Sequence, residues 1–600
     1  MLGPIFTREF QTVPRRGGHY LARTLSLGLL WVLGLTAWQA AVGWQQNAML
    51  GQTARFGLLL FQIYTYVLLT LLLFFAALSA ASAVAQEKDR RTFILLLITD
   101  MRDYEIVLGK LLGALLPIGL LLAGSVPVLA MLLLLGGIDP EQVVQAVLIL
   151  VATGFAAGSL GGLVALWRDR TFQSLALSVL FLVLYLCLVR GLAFVPFWSV
   201  GQVATIQSWL DPYLALQSVL EPPIAGGGFH AAYGYFLTML IASVVLNAVG
   251  IIRLRKWNPR GEPIMQRERK EDDEDKDRAR AHAAPGAVRK VWQNPVLWRE
   301  VRTLAYGRKP LLIKLAYFVV LAMICIFAFS NIGLNRPNGH QPFASALGIV
   351  PIGVLSLLLV SAQAVTAITS ERDGGALELL LVTDLTPREF IFGKLWGIAW
   401  NVKEFLLPPL ILAIVYGVLQ VLATPPRGQE YLRTSMNVGA VLCVLGTLVI
   451  LLAFAGVLGV HVALRNTSSR LGITHTLGTI FFLSVGTLIS IYLILVSGSF
   501  EYQWASFIMF LATGIGGLWW VLSGTRPSTA LTVAAIACPL AVYYCVINVI
   551  VSKPGSDEST DPLLPFLVIG GAFGFTIAAM LVPLLSEFDV ALGRTTAQEE

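Results

Sequence analysis

Two stretches of this chain carry the same charged and hydroxyl-bearing residues at the same spacing. Residues 87–110 align without a gap on residues 371–394, at an offset of 284. Extended to residues 83–111 and 367–395, the alignment has 12 identities in 29 positions, where chance gives about two, so it is an internal repeat. The matched positions pair Glu87 with Glu371, Asp89 with Asp373, Thr99 with Thr383, Asp100 with Asp384, Glu105 with Glu389, Gly109 with Gly393 and Lys110 with Lys394.

The chemistry of each copy favours docking over catalysis. Charges stand at both ends of a leucine-rich middle, which suits a short helix pair at a membrane surface that receives force from a soluble partner. The Gly-Lys pairs lack the earlier glycine and the following Ser or Thr of a phosphate-binding loop, so we do not expect the chain to hydrolyse ATP. The six histidines are scattered without the spacing of metal ligands, and we predict no enzyme activity.

The composition is that of a membrane protein. The chain is 56% hydrophobic and 13% charged, against about 25% charged residues in a soluble domain. Its apolar runs do not alternate with polar residues, so the predicted fold is an all-α polytopic membrane protein. The net charge of +7 is explained by basic residues that orient the spans, and we expect lipid contact but no nucleic-acid binding. The five cysteines lie in apolar runs, without a disulfide or metal pattern.

The apolar runs predict about fourteen transmembrane helices. In the first half we expect spans near residues 24–44, 57–83, 111–135, 143–166, 172–198 and 229–252. In the second half we expect spans near residues 311–330, 345–368, 395–423, 436–464, 471–497, 504–523, 528–552 and 563–585. Basic residues concentrate on one side of these spans, which predicts a cytoplasmic membrane protein with both termini and both repeated loops in the cytoplasm.

A change in composition divides the chain into two halves. We expect residues 253–290 to form a charged cytoplasmic linker between a first half, 1–252, and a second half, 291–600, whose residues 528–585 add about two spans. Each half begins with a predicted interfacial helix, at 1–20 and 294–309. These helices share an Arg-Glu pair, with Arg8 and Glu9 matching Arg299 and Glu300 at an offset of 291.

At the repeated loops the chain resembles the membrane subunits of type-2 ABC exporters. The resemblance rests on an acidic residue that closes the second span, a leucine run, a Thr-Asp turn and a helix that enters Gly-Lys-Leu. It implies a fused double permease whose loops are coupling helices for a dimer of separate cytoplasmic ATPase subunits, which bind the ATP. The second copy fits the pattern more closely, because Arg90-Arg91-Thr92 replaces the small residues Gly374-Gly375-Ala376, so we expect the second copy to dock more strongly.

Two other functions remain open. An ion-coupled secondary transporter needs ionisable groups within the membrane, and Lys403, Glu404 and His461 are the candidates. Snorkelling of the first two side chains to the interface is the favoured explanation for them. A membrane scaffold for an ATPase-linked complex, without transport of its own, keeps the same loops. No motif identifies the exported substrate.

Overall fold

The computed structural model describes an all-helical, multi-pass membrane protein, and no strand occurs among the described residues. Because unsatisfied backbone groups are costly in lipid, a chain this apolar is expected to span as helices. The described residues are 3–15, single positions between 20 and 38, 50–90, 92–168, 170–194, 200–220, 230–258, 292–302, 311–331, 341–373, 375–377, 385–422, 438–466, 469–488, 504–524, 528–551 and 562–586.

The first half contains nine described α-helices. They are α1 Gly3–Thr12, α2 Leu50–Asp89, α3 Phe93–Ile98, α4 Asp103–Met131, α5 Pro140–Trp167, α6 Thr171–Gly191, α7 Val200–Leu210, α8 Pro212–Leu220 and α9 Ala231–Trp257. The expected interfacial helix is the amphipathic α1, and the last helix continues to Trp257, beyond the expected boundary at residue 252.

The second half contains ten described α-helices. They are α10 Pro295–Arg302, α11 Leu311–Asn331, α12 Gln341–Asp373, α13 Pro387–Asn401, α14 Lys403–Leu422, α15 Val438–Arg465, α16 Ser469–Phe481, α17 Trp504–Ser523, α18 Thr529–Val551 and α19 Leu563–Ser586. A π-helical turn at Phe482–Gly486 continues α16. The second interfacial helix is described only as α10, because residues 303–310 lie outside the described part of the chain.

The two halves pack their helices in the same order. In the first half α2 packs against α5 and α6, and α1 lies along α4. In the second half α12 packs against α15 and α16, and α10 lies along α13. The last helix also takes the same place, since α19 lies on α15 as α9 lies on α5. Between these landmarks the first half has the short helices α7 and α8, where the second half has the longer α17 and α18.

The predicted count of about fourteen spans is too high for the part of the chain that the structure describes. Nine described helices are long and apolar enough to cross a membrane, or ten if the bent pair α13 and α14 counts as one span. Three further expected spans contain the apolar segments Lys314–Ala328, Leu471–Gly486 and Leu511–Ser523, as far as their side chains are described. The expected span at 24–44 lies mostly outside the described residues.

The halves contact each other directly. Helix α6 packs against α11 and α12, and α16 approaches α2, where the rings of Phe74 and Phe481 stack with centroids 4.4 Å apart. At the ends of α2 and α12, Arg90 Nη2 lies 3.2 Å from Asp373 Oδ1. The helix ends at which the two repeated loops begin therefore lie together at one end of the bundle, which we call the loop end.

Candidate functional site

A Glu-Lys ion pair closes each repeated loop. Glu87, in the last turn of α2, pairs with Lys110 in α4. Its counterpart Glu371 pairs with Lys394 in α13, where Lys394 Nζ lies 2.6 Å from Glu371 Oε2. Each pair joins the helix before the loop to the helix after it. The sequence repeat predicted these four residues as docking groups, but their described contacts are within the chain.

The residue after each glutamate caps a neighbouring helix. Lys88 Nζ donates to the carbonyls of Leu166 and Arg168, at 2.6 and 2.9 Å. Arg372 donates in the same way to the carbonyls of Ala463 and Asn466. The last carbonyls of a helix have no partner within that helix, and a cation at this end also interacts favourably with the helix dipole. These two basic residues thus fix the ends of α5 and α15.

The next residue, an aspartate, holds the start of the following helix. Asp89 accepts a hydrogen bond from Thr171 Oγ1 at 2.5 Å, and Asp373 accepts one from Ser469 Oγ at 2.9 Å. Both hydroxyl-bearing residues are buried at the first position of their helices, α6 and α16. We call the Glu-Lys/Arg-Asp triplets at 87–89 and 371–373, with these contacts, the loop brackets.

The second bracket is the more deeply buried of the two. The side chain of Lys394 has no exposed surface, whereas that of Lys110 is 13% exposed. Lys394 Nζ also lies 2.6 Å from Glu300 Oε1, while Arg299 pairs with Glu371 and lies 3.4 Å from Glu300. Two cations and two carboxylates therefore form one cluster between α10, α12 and α13.

The two helices expected to be interfacial, α1 and α10, pack beside the brackets through glycines. A Cβ at Gly397 would lie 2.4 Å from Glu300 Cβ, and one at Gly393 would lie 2.8 Å from Asn294 Oδ1, so α10 approaches α13 only because both positions lack a side chain. The matching contact in the first half is looser, since a Cβ at Gly113 would lie 3.2 Å from Glu9 Cγ. Arg8 pairs with Glu9 at the exposed surface of α1.

The repeated Glu105 and Glu389 cap their own helices. The backbone N–H of Arg102 donates to Glu105 Oε2 at 3.0 Å, and that of Thr386 donates to Glu389 Oε2 at 3.1 Å. Thr386 completes a capping box, because its Oγ1 accepts from the Glu389 N–H. Gly109, another of the predicted residues, is buried inside α4.

The short helix α3 of the first loop has an exposed apolar face. Helix α3 buries Phe93 and Leu97 but leaves Ile94 37%, Leu95 63% and Ile98 63% exposed. The exposed Thr99 and Asp100 follow, and Thr99 Oγ1 donates to the Leu96 carbonyl at 2.6 Å. The matching residues 378–384 of the second copy, including Thr383 and Asp384, lie outside the described part of the chain.

Sequence reasoning missed the residues that complete the brackets. Lys88 and Arg372 differ in type, so a count of identities passes over them. Thr171 and Ser469 belong to a second repeat, at an offset of 298, which also relates Val164-Ala165-Leu166 to Val462-Ala463-Leu464. Extending that repeat beyond its apolar residues would have found both hydroxyls.

Of the three ionisable groups considered for ion-coupled transport, two contact other side chains and the third is buried. Glu404 pairs with Lys314 of α11, and Lys403 Nζ lies 3.7 Å from the centroid of the Trp400 ring. His461 is fully buried in α15. Among the residues that the structure describes, no three His, Cys, Asp or Glu side chains lie close enough together to hold a metal ion. No protein-family model matches the chain, and no curated protein matches it.

Proposed function

We propose that this chain is the membrane-spanning permease subunit of an ATP-driven exporter of the type-2 ABC kind. It would work with a dimer of separate cytoplasmic ATPase subunits and move its substrate across the cytoplasmic membrane. The observation that carries the proposal is the pair of loop brackets, which hold equivalent loops in the same way at one end of the bundle. In the first loop, α3 presents an exposed apolar face beyond its bracket.

Each bracket suits the transmission of force. Its ion pair, carbonyl cap and hydroxyl hydrogen bond join four helices of one half, which in the first half are α2, α4, α5 and α6. A push on α3 would therefore reach several spans together instead of bending one loop. Two such units in one chain match the two subunits of an ATPase dimer, whose closure on ATP would move both halves.

The exposed face of α3 fits a hydrophobic groove better than it fits water. Ile94, Leu95 and Ile98 lie beside the polar Thr99 and Asp100, the arrangement of an apolar interface core with a polar rim. Because the loop end would face the ATPase, it would be cytoplasmic. The distribution of basic residues supports the same orientation, with both termini inside.

The described contacts favour this proposal over an ion-coupled carrier. Glu404 forms an ion pair with Lys314 and so has a structural explanation. A proton-driven flux abolished by Glu404→Gln would favour the carrier instead. A membrane scaffold for an ATPase-linked complex could use the same brackets. Measured transport of a substrate would distinguish a permease from such a scaffold.

The test is co-purification of the affinity-tagged chain from its native membranes, followed by assay of ATP hydrolysis. We expect an ATPase in about two copies per chain, and loss of that subunit when Leu95→Asp places a charge on the exposed face of α3. Leu134→Asp is the matched control, because Leu134 is 85% exposed in the 3-10 turn Leu132–Leu135, which follows the far end of α4. A chain that carries no ATPase, or one that loses it equally in both variants, contradicts the proposal.

A further inference from the structure

The chain departs from its own repeat just after the second loop. Helices α13 and α14 meet at Val402 with a bend of 66°, whereas α4 passes through the matching positions as one helix. We infer that α13 lies in the plane of the membrane, at the depth of the lipid headgroups, and that it presents Phe392, Trp396 and Trp400 to the lipid. This inference is independent of the proposed export function.

The helix lengths fit this arrangement. A helix rises 1.5 Å per residue, so the 15 residues of α13 are about 22 Å long, too short for a hydrocarbon core of about 30 Å. The 20 residues of α14 reach about 30 Å and cross the core without help. The 29 residues of α4 reach about 43 Å and need no second helix. The span of the second half can therefore begin at Lys403, which leaves α13 outside the core.

The exposed side chains change in type at the bend. Before it, Phe392, Trp396 and Trp400 are 40%, 66% and 51% exposed, and their spacing of four places them along one face of α13. After it, and apart from Lys403 at the bend itself, the exposed described residues of α14 are aliphatic: Leu407, Ile411, Ile414, Val415 and Val418. Tryptophan is enriched where the membrane meets water, and aliphatic residues are favourable in the hydrocarbon. This change indicates two depths for the two helices.

The first half provides an internal comparison. At the offset of 284, the three aromatic positions of α13 match Leu108, Leu112 and Leu116 of α4. The repeat thus has leucine where the helix is continuous and aromatic rings where it is broken by a bend. A difference of both residue type and geometry at the same positions is expected if the two segments contact different layers of the membrane.

Charged residues gather at the bend, as they would at the membrane surface. Lys403 lies over the ring of Trp400, and Glu404 pairs with Lys314 near the start of α11. Ions are costly at the membrane centre and much less so at the interface. On its other side α13 is held by α10, where Asn401 Nδ2 donates to the Glu300 carbonyl at 3.4 Å. The aromatic face is thereby directed away from the protein.

Site-directed spin labelling measures these depths. Labels are attached one at a time to Phe392→Cys, Trp396→Cys and Trp400→Cys, in full-length protein whose five native cysteines are replaced by alanine. Depth is read from the relative collision rates with oxygen and with a water-soluble nickel complex in reconstituted bilayers. We expect all three labels near the headgroups, with depths that differ by only about 2–3 Å per step, because α13 is turned by 66° from the adjoining span. The matched series Leu108→Cys, Leu112→Cys and Leu116→Cys should deepen by about 6 Å per step.

A depth that increases from 392 to 400 as it does from 108 to 116 would overturn the inference. Lipid quenching of the native protein gives a second measurement if a labelled variant does not fold. The emission of Trp396 or of Trp400 is the difference between the fluorescence of the native protein and that of Trp396→Leu or Trp400→Leu. This emission should be quenched more by lipids brominated near the headgroup than by lipids brominated deep in the acyl chain. Stronger quenching by the deep bromines contradicts an in-plane helix.

Discussion

Replacement of Lys394 by methionine would test the burial of the second bracket. Its ammonium lies 2.6 Å from carboxylate oxygens of both Glu300 and Glu371, and 3.3 Å from the Ala367 carbonyl, with no exposed surface. Methionine keeps the length of the side chain but leaves the carboxylates of Glu300 and Glu371 close together, with Arg299, which is 32% exposed, as the remaining cation of the cluster. Breaking a buried ion pair costs about 3–5 kcal/mol, so the unfolding equilibrium constant should rise between about a hundredfold and a few thousandfold.

Lys110→Met is the matched control in the first half. The side chains of Lys110 and Glu87 are 13% and 26% exposed, so water can solvate the glutamate that remains. We expect a smaller loss of about 1–2 kcal/mol, between the ranges for surface and buried pairs. Both variants are compared by reversible unfolding in mixed micelles on titration with sodium dodecyl sulfate, followed by tryptophan fluorescence.

A third variant distinguishes the stability lost through excess negative charge from the stability lost through altered packing. In Lys394→Met/Glu371→Gln one of the two carboxylates is neutral, so the double variant should be more stable than the sum of the two single losses predicts. Equal losses for Lys394→Met and Lys110→Met would refute the difference in burial. Additive losses in the double variant would show that the effect of Lys394 is one of packing alone.

Two further predictions concern the close packing at two glycines and the ion pair that joins the two halves. Gly397→Ala should destabilise the protein by about 1–3 kcal/mol, because the new Cβ would lie 2.4 Å from Glu300 Cβ. Gly113→Ala should cost less than about 1 kcal/mol, because the nearest atom to its new Cβ would lie 3.2 Å away. The same unfolding titration measures both, and a larger loss at Gly113 would contradict the packing. Arg90→Ala should cost at most about 1 kcal/mol, because Arg90 is half exposed although it joins the halves through Asp373. A loss above about 2 kcal/mol would show that this contact between halves is stronger than a surface ion pair.

Part of the candidate site could be predicted from the sequence because it repeats. Glu87 and Lys110, with their counterparts, are identical at one offset, and a helix end followed by a turn brings them together. The contacts of Lys88 and Asp89 could not be predicted in this way. Their partners lie about 80 residues away on other helices, and that segment repeats at a different offset.

The fold class could also be predicted, but the number of spans could not. Composition alone indicates a helical membrane protein, because such apolar runs satisfy their backbone only as helices. A continuous apolar run does not reveal where a helix bends. Residues 395–423 appear to be one span in the sequence, whereas the structure breaks this region at Val402 and turns it by 66°.

The structure also changes how the ranking of the two loops must be tested. Charge reversal at Glu371 and at Glu87 would compare the two loops directly if both residues served only as docking groups. Glu371, however, lies in a cluster with Lys394 and Arg299, so its reversal would disturb the second half whether or not an ATPase binds there. A loss of export activity would then reflect disturbed folding and would say nothing about docking. Docking has to be measured at side chains that the brackets do not use, and in the first loop Leu95 meets that requirement, because it is 63% exposed on α3.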